Sequence, residues 1–249
     1  AIDSQSIARW LMTVDYKPYP SGFYHIYSLK SLTRLRDSFV RQRSLYMVKL
    51  TNVLDHTFPE FKPFFGNRFS KTALFILDKY PAPSNIMEIP DSDYDELRCI
   101  SRGKFSFAKL IMLRDLAKNT VGESNDIFEL EITSIINLYN ICNSEISKMD
   151  EEITSLIYEL HPHVLSVPGI GPITAAVITS EYRDVKRFSS PDKMLSFAGL
   201  EPGYYQSGTM EFQGKMVKRG SSQLRCTLMN CTLPLIRFSP VFATYYHKK

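Results

Sequence analysis

The 249-residue sequence predicts a mainly α-helical fold: a helical bundle with one long coiled coil, followed by a C-terminal helical domain. Three observations carry this. Apolar residues recur at three- and four-residue spacing over long stretches, one stretch keeps strict heptad spacing, and Pro and Gly clusters punctuate the chain between them. At 44% hydrophobic and 22% charged, the composition is that of a globular chain, not a disordered or fibrous one.

The elements follow in order. Asp3, Ser4 and Ser6 before Ile7, Ala8, Trp10 and Leu11 predict a helix over 3–13, stopped by Pro18-Tyr19-Pro20-Ser21-Gly22. From Leu29 to Leu54, Leu32, Leu35, Phe39, Tyr46, Leu50 and Val53 recur at helical spacing, and Arg34, Arg36, Arg41, Arg43 and Lys49 occupy the other positions. This basic face is either a solvated surface or a place for nucleic-acid backbone contacts through Arg34, Arg41 and Arg43. Short helices over 70–79, 94–102 and 105–118 alternate with Pro81, Pro83 and Pro90. Asp91, Asp93, Asp95 and Glu96 lack the glycine and terminal glutamate of a calcium loop and read as an acidic helix start.

Between 128 and 160 the series Phe128, Ile132, Ile135, Tyr139, Cys142, Ile146, Met149, Ile153, Leu156, Leu160 steps alternately by four and three. Such a seam, about 50 Å long at 1.5 Å per residue, closes on a second copy or on the 29–54 helix in an antiparallel hairpin. The spacing does not separate these, nor fix a parallel or antiparallel coil; a homo-oligomer through 128–160 is the expectation. The resulting organisation is 1–22, a helical middle region 23–121, a coiled coil 122–160 and a C-terminal domain 161–249.

Charge is uneven along these segments. Residues 1–65 carry 9 basic and 5 acidic side chains, 66–121 carry 9 and 7, 122–160 carry 1 and 9, and 161–249 carry 11 and 5. The net +4 thus conceals one acidic stretch among basic ones, which makes a polyanion a natural partner. Cys99, Cys142, Cys226 and Cys231 form no Cys-x-x-Cys pair and suit a reducing cytoplasm, of a bacterium or archaeon given the resemblance below. The longest uncharged run, 160–180, is broken by Pro and Gly and predicts no membrane span.

The C-terminal domain holds the chemistry. Val167-Pro168-Gly169-Ile170-Gly171-Pro172, followed by Thr174 and small residues, has the pattern of a helix–hairpin–helix. Its glycines can bring backbone N–H groups and a helix N-terminus to a phosphate, and the same pattern also serves as a packing corner. Ser190, Pro191 and Gly199 bracket a short helix. Lys215, Lys218, Arg219 and Arg225 gather around a glycine-flanked loop and a helix starting near Ser221 or Ser222, where phosphate is favoured. A small β-hairpin is expected at about 209–218. By spacing alone Gln206-Ser207-Gly208 is a turn.

Taken together, Val167-Pro168-Gly169-Ile170-Gly171, Arg187-Phe188, Ala198-Gly199-Leu200-x-Pro202, Gln206-Ser207-Gly208, Lys218-x-Gly220 and Leu224-Arg225 resemble the C-terminal domain of the IS110 transposases. The resemblance extends upstream through Ser101-Arg102-Gly103-Lys104, Leu77-x-x-Tyr80-Pro81 and Arg41-x-Arg43, and Asp3 to Arg9 is similar to the end of the family's RuvC-like domain, making 1–22 its remnant. The resemblance implies a parent that moves an insertion sequence by Mg²⁺-dependent DNA cleavage and rejoining, with four acids holding metal and Ser207 as nucleophile. Asp3 matches the last of those acids, as a catalytic and metal residue, and the other three have no counterpart here. The chain alone is therefore expected to be inactive. The resemblance further implies DNA and a structured guide RNA as partners. A non-catalytic helix–hairpin–helix DNA-binding module, an oligomerisation protein built on the 128–160 seam, and a site-specific DNA invertase of the same superfamily are the alternatives.

Overall fold

The computed structural model describes residues 2–13, 22–207 and 210–248. It is mainly α-helical, as the periodicity predicts. Two compact units make up the chain: Arg36–Lys148, and Ala1–Leu35 together with Met149–Lys249. The boundaries fall inside two long helices, α2 (Gly22–Thr57) and α8 (Asp126–Leu160), not at the loops where the sequence suggested divisions.

In unit 36–148, α2 is followed by α3 (Phe61–Phe65), α4 (Lys71–Lys79), α5 (Pro83–Met87), α6 (Tyr94–Ile100) and α7 (Phe107–Lys118). Side chains start several of these. Ser70 Oγ accepts from Ala73 N at the head of α4, Ser106 Oγ accepts from Lys109 N at α7, and Asn125 Oδ1 accepts from the amides of Ile127 and Phe128 at α8. Leu50, Leu54, Phe58, Phe61, Leu110, Leu113, Ile132 and Ile136 fill one core. Each such side chain contributes roughly 1.5–3 kcal/mol on burial. The acidic cluster is consumed by local pairing: Asp93 accepts from Lys79 Nζ at 2.6 Å and from Tyr80 Oη, and Asp91 accepts from Arg114 Nη2 at 2.7 Å.

The heptad seam of α8 is covered from within the chain. Ile132, Ile135, Cys142, Ile146, Met149 and Ile153 are buried, and Phe128, Tyr139, Leu156 and Leu160 half-buried. In unit 36–148 the partner is α2: Arg43 Nη1 donates to Asn143 Oδ1 at 3.0 Å, while Leu50 and Leu54 share a core with Ile132 and Ile136. Rising numbers on α2 meet falling numbers on α8, an antiparallel pairing. Within unit 36–148 these seam residues pack against α2 of the same chain, and a homo-oligomer through 128–160 is not shown.

The other unit contains α1 (Ile2–Thr13), α9 (Pro172–Tyr182), α10 (Pro191–Ala198), the strands β1 (Pro202–Ser207) and β2 (Met210–Met216), α11 (Ser222–Phe238) and α12 (Pro240–His247). Fully buried Ala175 and Ala176 on α9 permit close approach to α11. Tyr182, Phe188 and Phe197 form an aromatic cluster, with ring centroids 5.5–6.0 Å apart, over Ala198 and Leu224. The antiparallel hairpin lies earlier than the expected 209–218: its strands run 202–207 and 210–216, with Ser207 opposite Met210 and an irregularity between Pro202 and Tyr204. Among the described residues no helix is long and apolar enough to cross a membrane.

Candidate nucleic-acid interface

The glycine motif folds as a compact corner. Its first arm is a single 3₁₀ turn, His163–Ser166, where the sequence pattern predicted a helix, and its second arm is α9. Gly171 caps α9 with no side-chain bond, Pro172 occupies the first helical position, and nothing lies within 4 Å of where a Gly171 Cβ would point. Gly169 is different. It sits at φ +95°, and a Cβ there would lie 2.8 Å from the Pro234 carbonyl oxygen of α11. One glycine serves packing and the other leaves the start of α9 open, so the two readings of the motif divide between neighbouring residues. Pro168 and Gly171 are exposed, and Thr174 is half-buried in the first turn.

A second glycine pair fixes the foot of the hairpin. Gly199 ends α10 in the left-handed region (φ 71°, ψ 34°), as its position after Ala198 predicted. A Cβ on Gly199 would lie 2.0 Å from the Arg219 carbonyl oxygen, and one on Gly220, at φ +103°, would lie 2.2 Å from the Phe197 carbonyl oxygen. The 197–199 and 219–220 segments therefore interlock backbone against backbone. Val217 N donates to Glu201 O at 2.9 Å, closing the hairpin beside this lock, and Ser196 Oγ donates to Glu201 Oε2.

Basic side chains around the lock take two roles. Arg225 Nη1 donates to Ala198 O at 3.2 Å and to Lys218 O at 3.4 Å, so the guanidinium ties the end of α10 to the loop before α11. Expected at a phosphate, Arg225 is a structural clamp. Lys218 and Arg219 are exposed on that loop. Arg187, also exposed, lies over Phe188 and Phe197 at 4.6 and 4.8 Å from their ring centroids. In the sequence Arg187 stands out only as part of the Arg187-Phe188 pair; the two phenylalanines beneath it were the available signal.

The arginines of α2 separate similarly. Arg34 is bound to Glu181 of α9, and Arg43 to Asn143, so neither guanidinium is the free backbone contact the sequence suggested. Arg41 remains exposed, paired with Asp37 one turn away at 2.8 Å. Glu181 itself is 1% exposed and also receives Lys30 Nζ at 2.9 Å. Burial works to raise its pKa, but the hydrogen bonds and charges of Lys30 and Arg34 outweigh it and hold the carboxyl below the ordinary Glu value.

Ser207 is the last residue of β1, adjoining the hairpin tip, and Lys215 lies on β2. Asp3 lies in the first turn of α1. Among the described residues no three His, Cys, Asp or Glu side chains gather as a metal site.

With this geometry in hand, relationships to known proteins can be placed. Residues 161–247, from the 3₁₀ turn to α12, match the model described as Transposase IS116/IS110/IS902 family. Over this segment, about a third of its length, the chain is similar to the IS116/IS110/IS902 transposase family. The chain is similar to a probable family 20 transposase of Pseudomonas aeruginosa, 26% identical over 102 residues that cover 37% of this chain and 30% of that protein. It is similar also to an insertion element IS110 uncharacterized 43.6 kDa protein of Streptomyces coelicolor, 24% identical over 123 residues covering 49% of this chain and 30% of that protein. A transposase for insertion sequence element IS1111A of Coxiella burnetii is 32% identical over 74 residues, 30% of this chain and 20% of that protein. The matched stretch thus spans less than a third of the length of each of these relatives. No solved structure matches significantly. The Gly169 corner, the Gly199–Gly220 lock, the hairpin and α11 all lie within the matched segment 161–247.

Proposed function

We propose that the chain is the nucleophile-bearing part of a DNA transposase, in which the 161–247 domain holds a DNA strand and presents Ser207 to it. The observation that carries this reading is the position of Ser207 beside the tip of a hairpin whose foot is locked by Gly199 and Gly220 and flanked by exposed Lys218 and Arg219. A nucleophile carried on a hairpin that is anchored beside cations able to hold the strand is what strand cleavage requires.

In the step we propose, Ser207 Oγ attacks a backbone phosphorus. A P–O bond to serine forms, the bond to one deoxyribose oxygen breaks, and that oxygen leaves as a hydroxyl. The serine proton passes through a general base of the acidic site to the leaving oxygen. A hydroxyl from the recipient strand then attacks the phosphoserine, restoring a phosphodiester and the free serine. Lys218 and Arg219 neutralise the strand, and the open start of α9 at Gly171 offers amides to a neighbouring phosphate. Mg²⁺ bound by an acidic quartet, to which Asp3 contributes, would supply charge neutralisation at the phosphorus. A structured guide RNA as second partner belongs to the same reading, supported by the resemblance and by the basic segments on either side of the acidic α8.

The test is covalent trapping. A full-length protein that includes the acidic quartet, incubated with DNA nicked next to the cleavage position, is expected to form a protein–DNA adduct that survives denaturing electrophoresis. Ser207→Ala is expected to abolish adduct and strand joining while leaving salt-dependent DNA binding in place. Joining by Ser207→Ala at the wild-type rate would reduce the domain to a binding module.

A further inference from the structure

Away from the transposase domain, unit 36–148 contains an open cavity of about 350 Å³ between α3, α4, the loop after α6 and the start of α7. That is within the size range of ligand clefts. The charged residues lining it are Lys71, Arg102, Lys104 and Lys109, and no carboxylate is among its lining residues. Four like charges around one concavity raise each other's energy unless an anion joins them.

The contrast with nearby cations is informative. Lys79, at the other end of α4, pairs with Asp93 and Glu96; Arg68 pairs with Asp55; Arg114 pairs with Asp91. Among the described residues none of the four cavity cations has such a carboxylate. Lys49, Lys62, Arg98 and Lys118 of the same unit also have no such partner among the described residues; what sets the four cavity cations apart is that they line one concavity.

The backbone builds the rim. Arg102 (φ 54°) and Gly103 (φ 77°) are consecutive left-handed residues, held by Gly103 N donating to Arg98 O and Lys104 N donating to Ser101 O. Lys109 Nζ donates to Lys104 O at 3.2 Å, drawing two of the cationic residues together. Ser70 and Lys71, at the positive end of the nine-residue helix α4, form the opposite wall. Phe65 and Phe105, with nearly parallel rings and centroids 6.3 Å apart, supply an apolar wall that strengthens electrostatics nearby.

We propose that this cavity seats a backbone phosphate of a polynucleotide, as a second contact independent of the Ser207 hairpin. All four cations are exposed, which suits an extended polyanion passing over the rim. The polynucleotide identity rests on the reading that this chain handles nucleic acid.

The experiment measures binding of the complete 249-residue chain to a fluorescent DNA duplex and to a single-stranded RNA across a salt series. Arg102→Gln/Lys104→Gln and Lys71→Gln/Lys109→Gln are compared with the remote pair Lys49→Gln/Lys118→Gln, folding being checked by circular dichroism. Each cavity pair is expected to weaken binding roughly tenfold at moderate salt and to flatten the log–log salt slope by about one to two, beyond any change in the remote pair. An effect on only one polymer identifies which one supplies the phosphate. Cavity pairs indistinguishable from the remote pair on both polymers overturn the proposal and leave the transposase domain's role intact. A wild-type chain with no salt-sensitive binding to either polymer overturns both.

Discussion

Arg34 grips Glu181 side-on, its Nε and Nη2 reaching the same carboxylate oxygen at 3.0 and 2.9 Å while Lys30 takes the other. This pairing links α2 to α9 within one unit. Because it depresses the Glu181 pKa, its stabilisation is complete above the unfolded carboxylate value and is lost as pH falls through the folded one. Thermal unfolding followed across acidic to neutral pH should show that decline. Glu181→Gln should remove this contribution to it and lower neutral-pH stability by roughly 2–4 kcal/mol, less than a fully enclosed pair because Arg34 is half exposed. A pH profile unchanged by the substitution would contradict the assignment.

The two glycines of the α9 corner should respond differently. Gly169→Ala meets the Pro234 carbonyl with a left-handed backbone, and is expected to cost about 2 kcal/mol or more in chemical denaturation. Gly171→Ala meets open space at φ −85° and should leave stability within about 1 kcal/mol. Equal losses would mean the corner packs otherwise.

Gly199→Ala and Gly220→Ala each drive a methyl into a neighbouring carbonyl. Both should destabilise the C-terminal unit by roughly 2–4 kcal/mol and reduce DNA strand joining by the full-length protein. Retained stability in either variant would show that the lock can open without consequence.

Arg225 and its neighbours offer a separation of packing from binding. Arg225→Gln should lower the melting temperature, through about 1–3 kcal/mol of lost charged hydrogen bonds, with little change in the salt slope of DNA binding. Lys218→Gln and Arg219→Gln should do the reverse, each flattening that slope by about 1. The opposite pattern in a melting and binding comparison would reassign all three.

Much of the architecture was legible because it depends on local rules. The heptad steps from Phe128 to Leu160 gave α8 nearly to the residue, and Ser190, Pro191 and Gly199 gave α10 with its left-handed stop. What covers the seam was not legible, since the same apolar pattern satisfies a second copy or α2, and only the meeting of Arg43 with Asn143 distinguishes them. The site divided in the same way. Glycine and arginine positions stood out by type, but whether an arginine faces solvent or a carbonyl depends on residues distant in the chain: Glu181 for Arg34, Ala198 for Arg225. The hairpin was placed too late because Gln206-Ser207-Gly208 reads as a turn, whereas Pro202 to Ser207 are already strand.

The foot of the hairpin is gripped by close backbone contacts that need Gly199 and Gly220, and by the Arg225 guanidinium that ties across them. A mount of this kind lets the surrounding surface change while the hairpin keeps its position, so long as two hydrogen-only positions and one guanidinium survive.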